Sequence, residues 1–454
     1  MTTGSADERQ PDQPSQHYDV IIVGGRVGGT ALAARLGLYG LRVLVLERET
    51  FPSLPAVSSP IIYAPTMKTL DEIGADEAIY AHNTPKIHYV YNITPSLRGH
   101  IRIPDMDGRD YGYAIDRARF DEALWQNAMR IPTVEGRQSC SVTDILMTGK
   151  QATGVTVKNA DGSTETIYGD IIVGADGRFS MVARKMDAKL SDEWEQHPTS
   201  IYYAYWEGVT HLDGNPAAAA YEGNGPYGYL TLDSADGQTA IALEGRSEAL
   251  EHDGDAEAFY ESMVQSLPEL AERTANAHRV TSVRGMKHIS NGYREPGGPG
   301  WALVGDAYHH KDPLDGQGIY NAVITGKALA QAIRKYKQGQ LTWDEALAEY
   351  DENARIKTYP MYKVLQRRVK ESFYPQPSIL PEWLNEQMTR WMFEDPDVKS
   401  LVGKMLTRQI PADMVNLMGP PTLFGAIARG PLRDFRKLVE LRREKDKAGS
   451  QHSE

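Results

Sequence analysis

The residues whose types and spacing most directly imply chemistry are Glu47 and a cluster of glycines ahead of it. Gly24-Gly25-Arg26-Val27-Gly28-Gly29 follows the apolar run Tyr18–Val23 and precedes a stretch with Ala31, Leu32, Ala34, Arg35 and Leu38 at helical spacing. A G-x-G-x-x-G turn needs one glycine for the tight bend, one for backbone approach to a pyrophosphate and one for helix–strand packing. Gly24 and Gly29 fill the first and third places, Arg26 takes the second, and Gly25 and Gly28 keep the loop small. A phosphate there would meet the free amides and positive dipole end of the helix. Arg26 must either turn aside or pair with the phosphates; pairing is expected, because a guanidinium fork suits phosphate oxygens. Glu47 ends the second apolar run, Arg42–Leu46, with Arg48 beside it as a further candidate for cofactor binding. Its carboxylate can accept both hydrogen bonds of an adenosine ribose diol and would repel a 2′-phosphate, so the loop suits FAD or NAD and not NADP.

Two later segments carry further candidates. DIIVGADGRFSMVAR, Asp170 to Arg184, places Asp176-Gly177 after a buried-strand pattern. GDAYHHKDPLDGQG, Gly305 to Gly318, follows the run Trp301–Val304 and leads into a periodic helix (Ile319, Ala322, Val323, Gly326, Leu329, Ile333). Asp306 would stand at the C-terminal edge of a parallel sheet, where ligands bind, and could hold ribityl hydroxyls. Gly316 and Gly318 would let the helix amides face a flat ring that becomes anionic on reduction, with Pro313 shaping one wall. His309 and His310 are candidate catalytic acid–base groups, able to take a proton from a hydroxyl or give one to a peroxide. The competing reading gives one a backbone hydrogen bond and leaves the other solvated. No accompanying Cys or His has metal-ligand spacing, so no metal is expected. Tyr203 is a candidate on a Tyr-rich strand, where Tyr203 and Tyr205 share one face and Tyr202 and Trp206 the other.

These residues need a scaffold. The alternation of short apolar runs with helical patterns predicts an α/β fold: a Rossmann-like dinucleotide-binding domain, FAD-binding if the resemblance given below holds, with an inserted antiparallel β-sheet substrate domain and C-terminal helices. The expected division is a disordered tail at 1–17, the FAD-binding domain over 18–85, 112–190 and 288–340, a β domain over 86–111 and 191–287, and a helical region over 341–454. Thr342 and Glu345 form a capping-box pair. Pro360 is expected to kink or end its helix, and 445–454 reads as a frayed tail. The chain has 454 residues, a net charge of −12 and one cysteine, Cys140. That balance argues against nucleic acid as the main partner, and one cysteine excludes a disulfide within the chain. The N-terminus lacks a signal-peptide core and no run is apolar enough to span a membrane, so a cytoplasmic location is expected.

The three motifs, in this order, resemble those of the flavoprotein monooxygenases of the para-hydroxybenzoate hydroxylase fold, over about Tyr18 to Lys335. The resemblance implies that FAD is held by Gly24, Gly28, Gly29, Glu47, Asp176, Asp306, Pro313, Gly316 and Gly318. It also implies that Arg117 reaches the flavin side, the competing reading being a pair with Asp121, and that Val142 lies near the adenine. The implied reaction oxygenates an apolar, aromatic or polycyclic small molecule with molecular oxygen through a flavin C4a-hydroperoxide, with NADH or NADPH as transient electron donor. Ser59 stands where the family carries an arginine that approaches the flavin. That departure leaves the electron supply open between a nicotinamide and a separate flavin reductase. The rival readings are a reductase or dehydrogenase, whose aromatic-Trp-aromatic-Pro signature is absent, a halogenase, for which Lys68 and Lys86 are the weak candidate lysines, and a flavin-holding protein without turnover. A homodimer remains open.

Overall fold

A computed structural model describes residues 17–55, 58–94, 97–221, 225–374, 380–410 and 420–450, so the expected N-terminal tail lies almost wholly outside the described residues. Buried apolar strands build the first sheet. Its parallel strands run in the order Trp301–Leu303, Thr164–Gly174, His17–Val23, Val43–Leu46 and Val134–Arg137. All four residues of Val43–Leu46 are buried, as expected of a strand covered on both faces. Strand Thr164–Gly174 serves two partners: its first half pairs antiparallel with Gln151–Lys158, its second half parallel with His17–Val23. The helices Val27–Leu38, Arg117–Met129 and Gly318–Lys337 pack around this sheet.

The second sheet is mostly antiparallel. From one edge its main path is His278–Arg279, Thr199–Glu207, Gln238–Arg246, Tyr227–Asp233, Ala218–Tyr221, Tyr89–Thr94 and Leu97–Arg102. Alternation decides its two faces. Ile201, Tyr203 and Tyr205 pack with Ile61, Tyr63 and Ile103. Tyr202, Ala204 and Trp206 pack instead with Tyr260, Met263 and Leu270 of the helices Ala256–Ser266 and Pro268–Thr274. The same strand thus joins two separate cores.

The C-terminal part is helical. Thr342 and Glu345 make the capping box. Helix Trp343–Phe373 does not end at Pro360 but runs through it, with Tyr350, Ala354, Tyr362, Leu365, Val369 and Phe373 buried on one side. Continuous packing of that face offsets the hydrogen bond that proline removes. The last helix, Pro420–Ser450, extends through most of the segment expected to fray. Positions 411–419 and 451–454 lie outside the described residues.

Candidate functional site

The glycine turn is dictated by close approach. Gly24 has φ +106°, and a Cβ there would lie 2.4 Å from the Ala175 carbonyl oxygen; at Gly29 it would lie 1.9 Å from the Gly24 carbonyl oxygen. At Gly25 it would strike the Trp125 ring at 2.5 Å. Gly28 differs: its nearest neighbours would be Ala322 and Gly305 at 3.7 and 3.8 Å, ordinary contact distances. Gly28 therefore marks where the glycine loop, the Gly305 loop and helix Gly318–Lys337 converge. Helix Val27–Leu38 has no side-chain cap and no acid in its first turn, so its leading amides stay available to an anion.

Arg26 is not among the groups available to phosphate. Its Nη1 donates to Asp121 at 2.6 Å and to the Ser53 carbonyl at 2.9 Å; Nη2 donates to Ser53 Oγ at 3.0 Å and to the Leu54 carbonyl at 3.5 Å. The expected phosphate pairing is corrected on that ground: a buried carboxylate outcompetes it, and the four terminal N–H groups already have acceptors. Arg117 shares the same carboxylate, donating to Asp121 at 3.0–3.2 Å and to Ser58 Oγ at 2.8 Å. The i,i+4 pair with Asp121, weighed against a reach to the flavin side, is present, and Arg117 also acts on the carboxyl of Asp306. Asp121 is wholly buried and bridges two arginines.

Glu47 is buried at the end of its strand. One carboxylate oxygen accepts from Gly25 N–H at 2.7 Å and the other from Glu49 N–H at 2.9 Å. Each oxygen keeps a second lone pair, so a diol can still be accepted. Cys140 N–H donates to the Glu47 carbonyl at 2.9 Å, which brings the half-buried Val142 to the same edge. Arg48 is exposed and lies 3.6 Å from Glu49.

Asp176 has a scaffold role in the fold. It accepts from Ser180 Oγ–H at 2.5 Å and from the amides of Met181 and Val182 at 2.6 and 3.2 Å. One oxygen takes the two leading amides of the short helix Met181–Lys185 and the other holds its N-cap Ser180, and the backbone beside Asp176 closes over Gly24.

Asp306 is the opposite case. Among the described residues its carboxylate takes no hydrogen bond or ion pair, and it stays partly exposed at the end of strand Trp301–Leu303. Burial raises its pKa; Arg178, Lys311, Arg117 and Arg294 act against that rise. An acceptor left open at the C-terminal edge of the sheet fits a hydroxylated ligand. Beyond it, Gly316 has φ +65° and Gly318 is exposed, with open space where a Cβ would stand. Gln317 gives helix Gly318–Lys337 no side-chain cap and the first turn has no acid, so this 20-residue helix also presents free amides. Ser59 Oγ–H donates to the Pro313 carbonyl at 3.3 Å, which places Ser59 against that loop.

Two uncapped helix N-termini, an open Asp306 and an edge carboxylate at Glu47 form a set of donors and acceptors that fits FAD: pyrophosphate and flavin at the helices, ribityl and ribose at the acids. The family described as FAD binding domain matches residues 17–358. The chain belongs to that family. It is a FAD-dependent oxidoreductase with the para-hydroxybenzoate hydroxylase fold. The flavoprotein is 28% identical to the digeranylgeranylglycerophospholipid reductase of Methanosphaerula palustris over 370 residues, 79% of this chain and 87% of that one. It superposes on the flavin-dependent brominase Bmp2 with TM-score 0.76 at 19% identity, covering 92% of this chain and 100% of that one. For the p-nitrophenol 4-monooxygenase PnpA of Pseudomonas putida DLL-E4 the TM-score is 0.71 at 17% identity, covering 87% and 98%. Similarity at those two identities is similarity of fold.

The candidate catalytic histidines of the flavoprotein are withdrawn from ligand chemistry. His309 and His310 are buried in a short strand paired with Asn291–Arg294. His309 Nδ1 bonds to the Gly292 carbonyl at 3.1 Å, and its ring stacks on Tyr293 at 3.8 Å. Burial lowers its pKa to about 3. His310 Nδ1 accepts from Arg294 at 3.3 Å; burial, with Arg178 and Arg294 nearby, lowers its pKa to about 2. Both stay neutral and structural, and the expectation of a catalytic base is corrected. Tyr203 is also corrected: its buried hydroxyl donates to the Pro55 carbonyl at 3.0 Å. Lys68 pairs with Asp107 on the surface, and Lys86 lies over the Tyr111 ring at 3.9 Å.

Sequence reasoning missed two groups. Arg178 donates to the carbonyls of Ser290 and Lys311, and Arg294 to those of Arg178 and Ala307, tying the second motif to the third. Arg178 was visible as the residue after Asp176-Gly177; Arg294 lies in no motif. The second group is Lys311–Asp315–Arg408, buried together at the loop before helix Gly318–Lys337. Burial alone would raise the Asp315 pKa, but the two cations hold it down to about 2. No group of three or more His, Cys, Asp or Glu side chains among the described residues could hold a metal ion.

Proposed function

We propose that the flavoprotein is a monooxygenase that oxygenates an apolar, aromatic or polycyclic small molecule. In this reading Glu47 accepts the adenosine ribose, with Val142 near the adenine. The amides of Val27–Gly29 take the pyrophosphate, Asp306 the ribityl chain, and the Pro313–Gly318 turn the flavin ring. Bound FAD supplies acceptance of hydride from NADH or NADPH and activation of oxygen. The chain binds, orients and excludes water.

One observation carries the reading. The apolar face of Ile201, Tyr203 and Tyr205 continues through Ile61 and Tyr63 to Gly316, where Ile61 comes within 2.9 Å of the glycine's Cβ position. A flat apolar substrate seated against the flavin loop would border this core of rings and methyl groups. His309 and His310 are packed in the strand beside Asn291–Arg294, and Cys140 lies at the Glu47 edge. An apolar wall suits oxygen transfer, in which the flavin supplies the chemistry. A second reading, reduction of a carbon–carbon double bond in an apolar chain, is favoured by the 28% identical reductase.

The test mixes the flavin-loaded protein with NADH or NADPH, with and without aromatic candidates, and follows flavin bleaching and oxygen uptake. Substrate-accelerated bleaching followed by oxygen uptake and a hydroxylated product supports the proposal. Anaerobic turnover of an alkene without oxygen uptake supports the reductase reading instead. Bleaching only with an added flavin reductase assigns Ser59 to a changed electron supply.

A further inference from the structure

The last helix is anchored on one side. Gly430 sits against the Trp391 ring, Asp434 accepts from Trp391 Nε1 and Arg390, and Arg429 and Arg433 pair with Asp395. Its other side is apolar and uncovered. Phe424, Leu432, Phe435 and Leu438, with Leu441 on the azimuth of the anchored side near the helix end, are each 54–67% exposed, and Trp383 on the helix beneath is 68% exposed. At 3.6 residues per turn the first four of these fall within one sector of about 120°, a continuous stripe. Arg436, Arg442 and Arg443 are exposed on or beside that stripe and form no ion pair among the described residues.

We propose that this face docks the flavoprotein onto an anionic lipid bilayer. An exposed stripe of that size on a soluble protein marks a contact surface. Phe, Leu and Trp on one side, with free arginines along it, is the composition of a helix that lies in the interfacial plane of a bilayer. Anionic headgroups complement Arg436, Arg442 and Arg443. A second copy of the chain fits less well: a two-fold contact over the stripe brings the same arginines together, with Glu440 the one acid exposed beside them among the described side chains. Attraction must be local, since the whole chain carries −12. The proposal does not depend on the reaction catalysed.

The experiment is co-sedimentation of the flavin-loaded full chain with phosphatidylcholine–phosphatidylserine vesicles and with pure phosphatidylcholine vesicles. Retention by the anionic vesicles, weakening with salt, is expected. The triple substitution Arg436→Gln, Arg442→Gln, Arg443→Gln should lower the partition about a hundredfold, about fivefold per charge. Phe435→Ser with Leu438→Ser should abolish retention with the arginines intact. Flavin absorbance and melting temperature of both variants should match the parent, because these side chains lie outside the packed side of the helix. Three outcomes overturn the proposal: no retention of the parent by anionic vesicles, retention indifferent to the arginines, or a dimer in solution that Phe435→Ser with Leu438→Ser dissolves. The last assigns the face to a second copy.

Discussion

Replacing His309 by phenylalanine separates a structural histidine from a catalytic one. His309 and His310 titrate near 6.5 in an unfolded chain but are held to about 3 and about 2 in the fold. Between these values the unfolded chain binds more protons, so stability rises with pH and is lost as pH falls below about 6.5. At about pH 5 each imidazole removes about 2 kcal/mol relative to neutral pH, from 1.36 kcal/mol per unit over about 1.5 units. Together they remove about 4 kcal/mol. His309→Phe keeps the stack on Tyr293 and loses the bond to the Gly292 carbonyl, at about 1 kcal/mol near pH 7. The variant also loses one of the two titrations. Its stability should therefore fall by about 2 kcal/mol less than the parent's between pH 7 and 5, so that the curves cross. Urea unfolding of the flavin-loaded proteins across that range measures both slopes. Parallel curves would refute the assignment of His309 as a buried neutral group.

Three further predictions concern the site loops. Asp315→Asn leaves Lys311 and Arg408 buried without their counter-charge and should cost about 3–5 kcal/mol in thermal unfolding; a loss below about 1 kcal/mol would mean that the cluster is solvated. Because Asp315 is held at about 2, below an unfolded value of about 3.9, its contribution is complete above that value and disappears as pH falls through 2. Glu47→Ala removes the acceptor of the Gly25 and Glu49 amides and should weaken FAD affinity about 10- to 100-fold, read by flavin fluorescence titration; unchanged affinity sinks the ribose role. Gly28→Ala should fold normally while losing FAD, because its Cβ meets only ordinary contacts. Gly29→Ala should fail to fold, since its Cβ would overlap the Gly24 carbonyl. Equal folding of the two variants by circular dichroism would contradict the loop geometry.

What the sequence by itself determined was local. A strand, a glycine turn, a helix and an acid at fixed spacing form one local unit, in which Gly29 is set by the Gly24 carbonyl five residues back, whereas Gly24 and Gly25 are set by Ala175 and Trp125 from elsewhere in the fold. Glu47 beside Gly25, the exposed Gly318 ahead of its helix and the two faces of Thr199–Glu207 follow from that short-range geometry. Only the tertiary structure decided the partners of charged and polar groups. Arg26 finds Asp121 some 95 residues away, and Arg408 reaches Asp315 across 93. His309 is silenced by a strand and a ring from Gly292 and Tyr293. A long side chain takes whichever buried counter-charge or acceptor the packing brings near it, and desolvation makes that choice strong. Sequence spacing does not encode such encounters, so the backbone of the cofactor site could be read from the chain, whereas the duties of its arginines, its histidines and Asp176 waited on the fold.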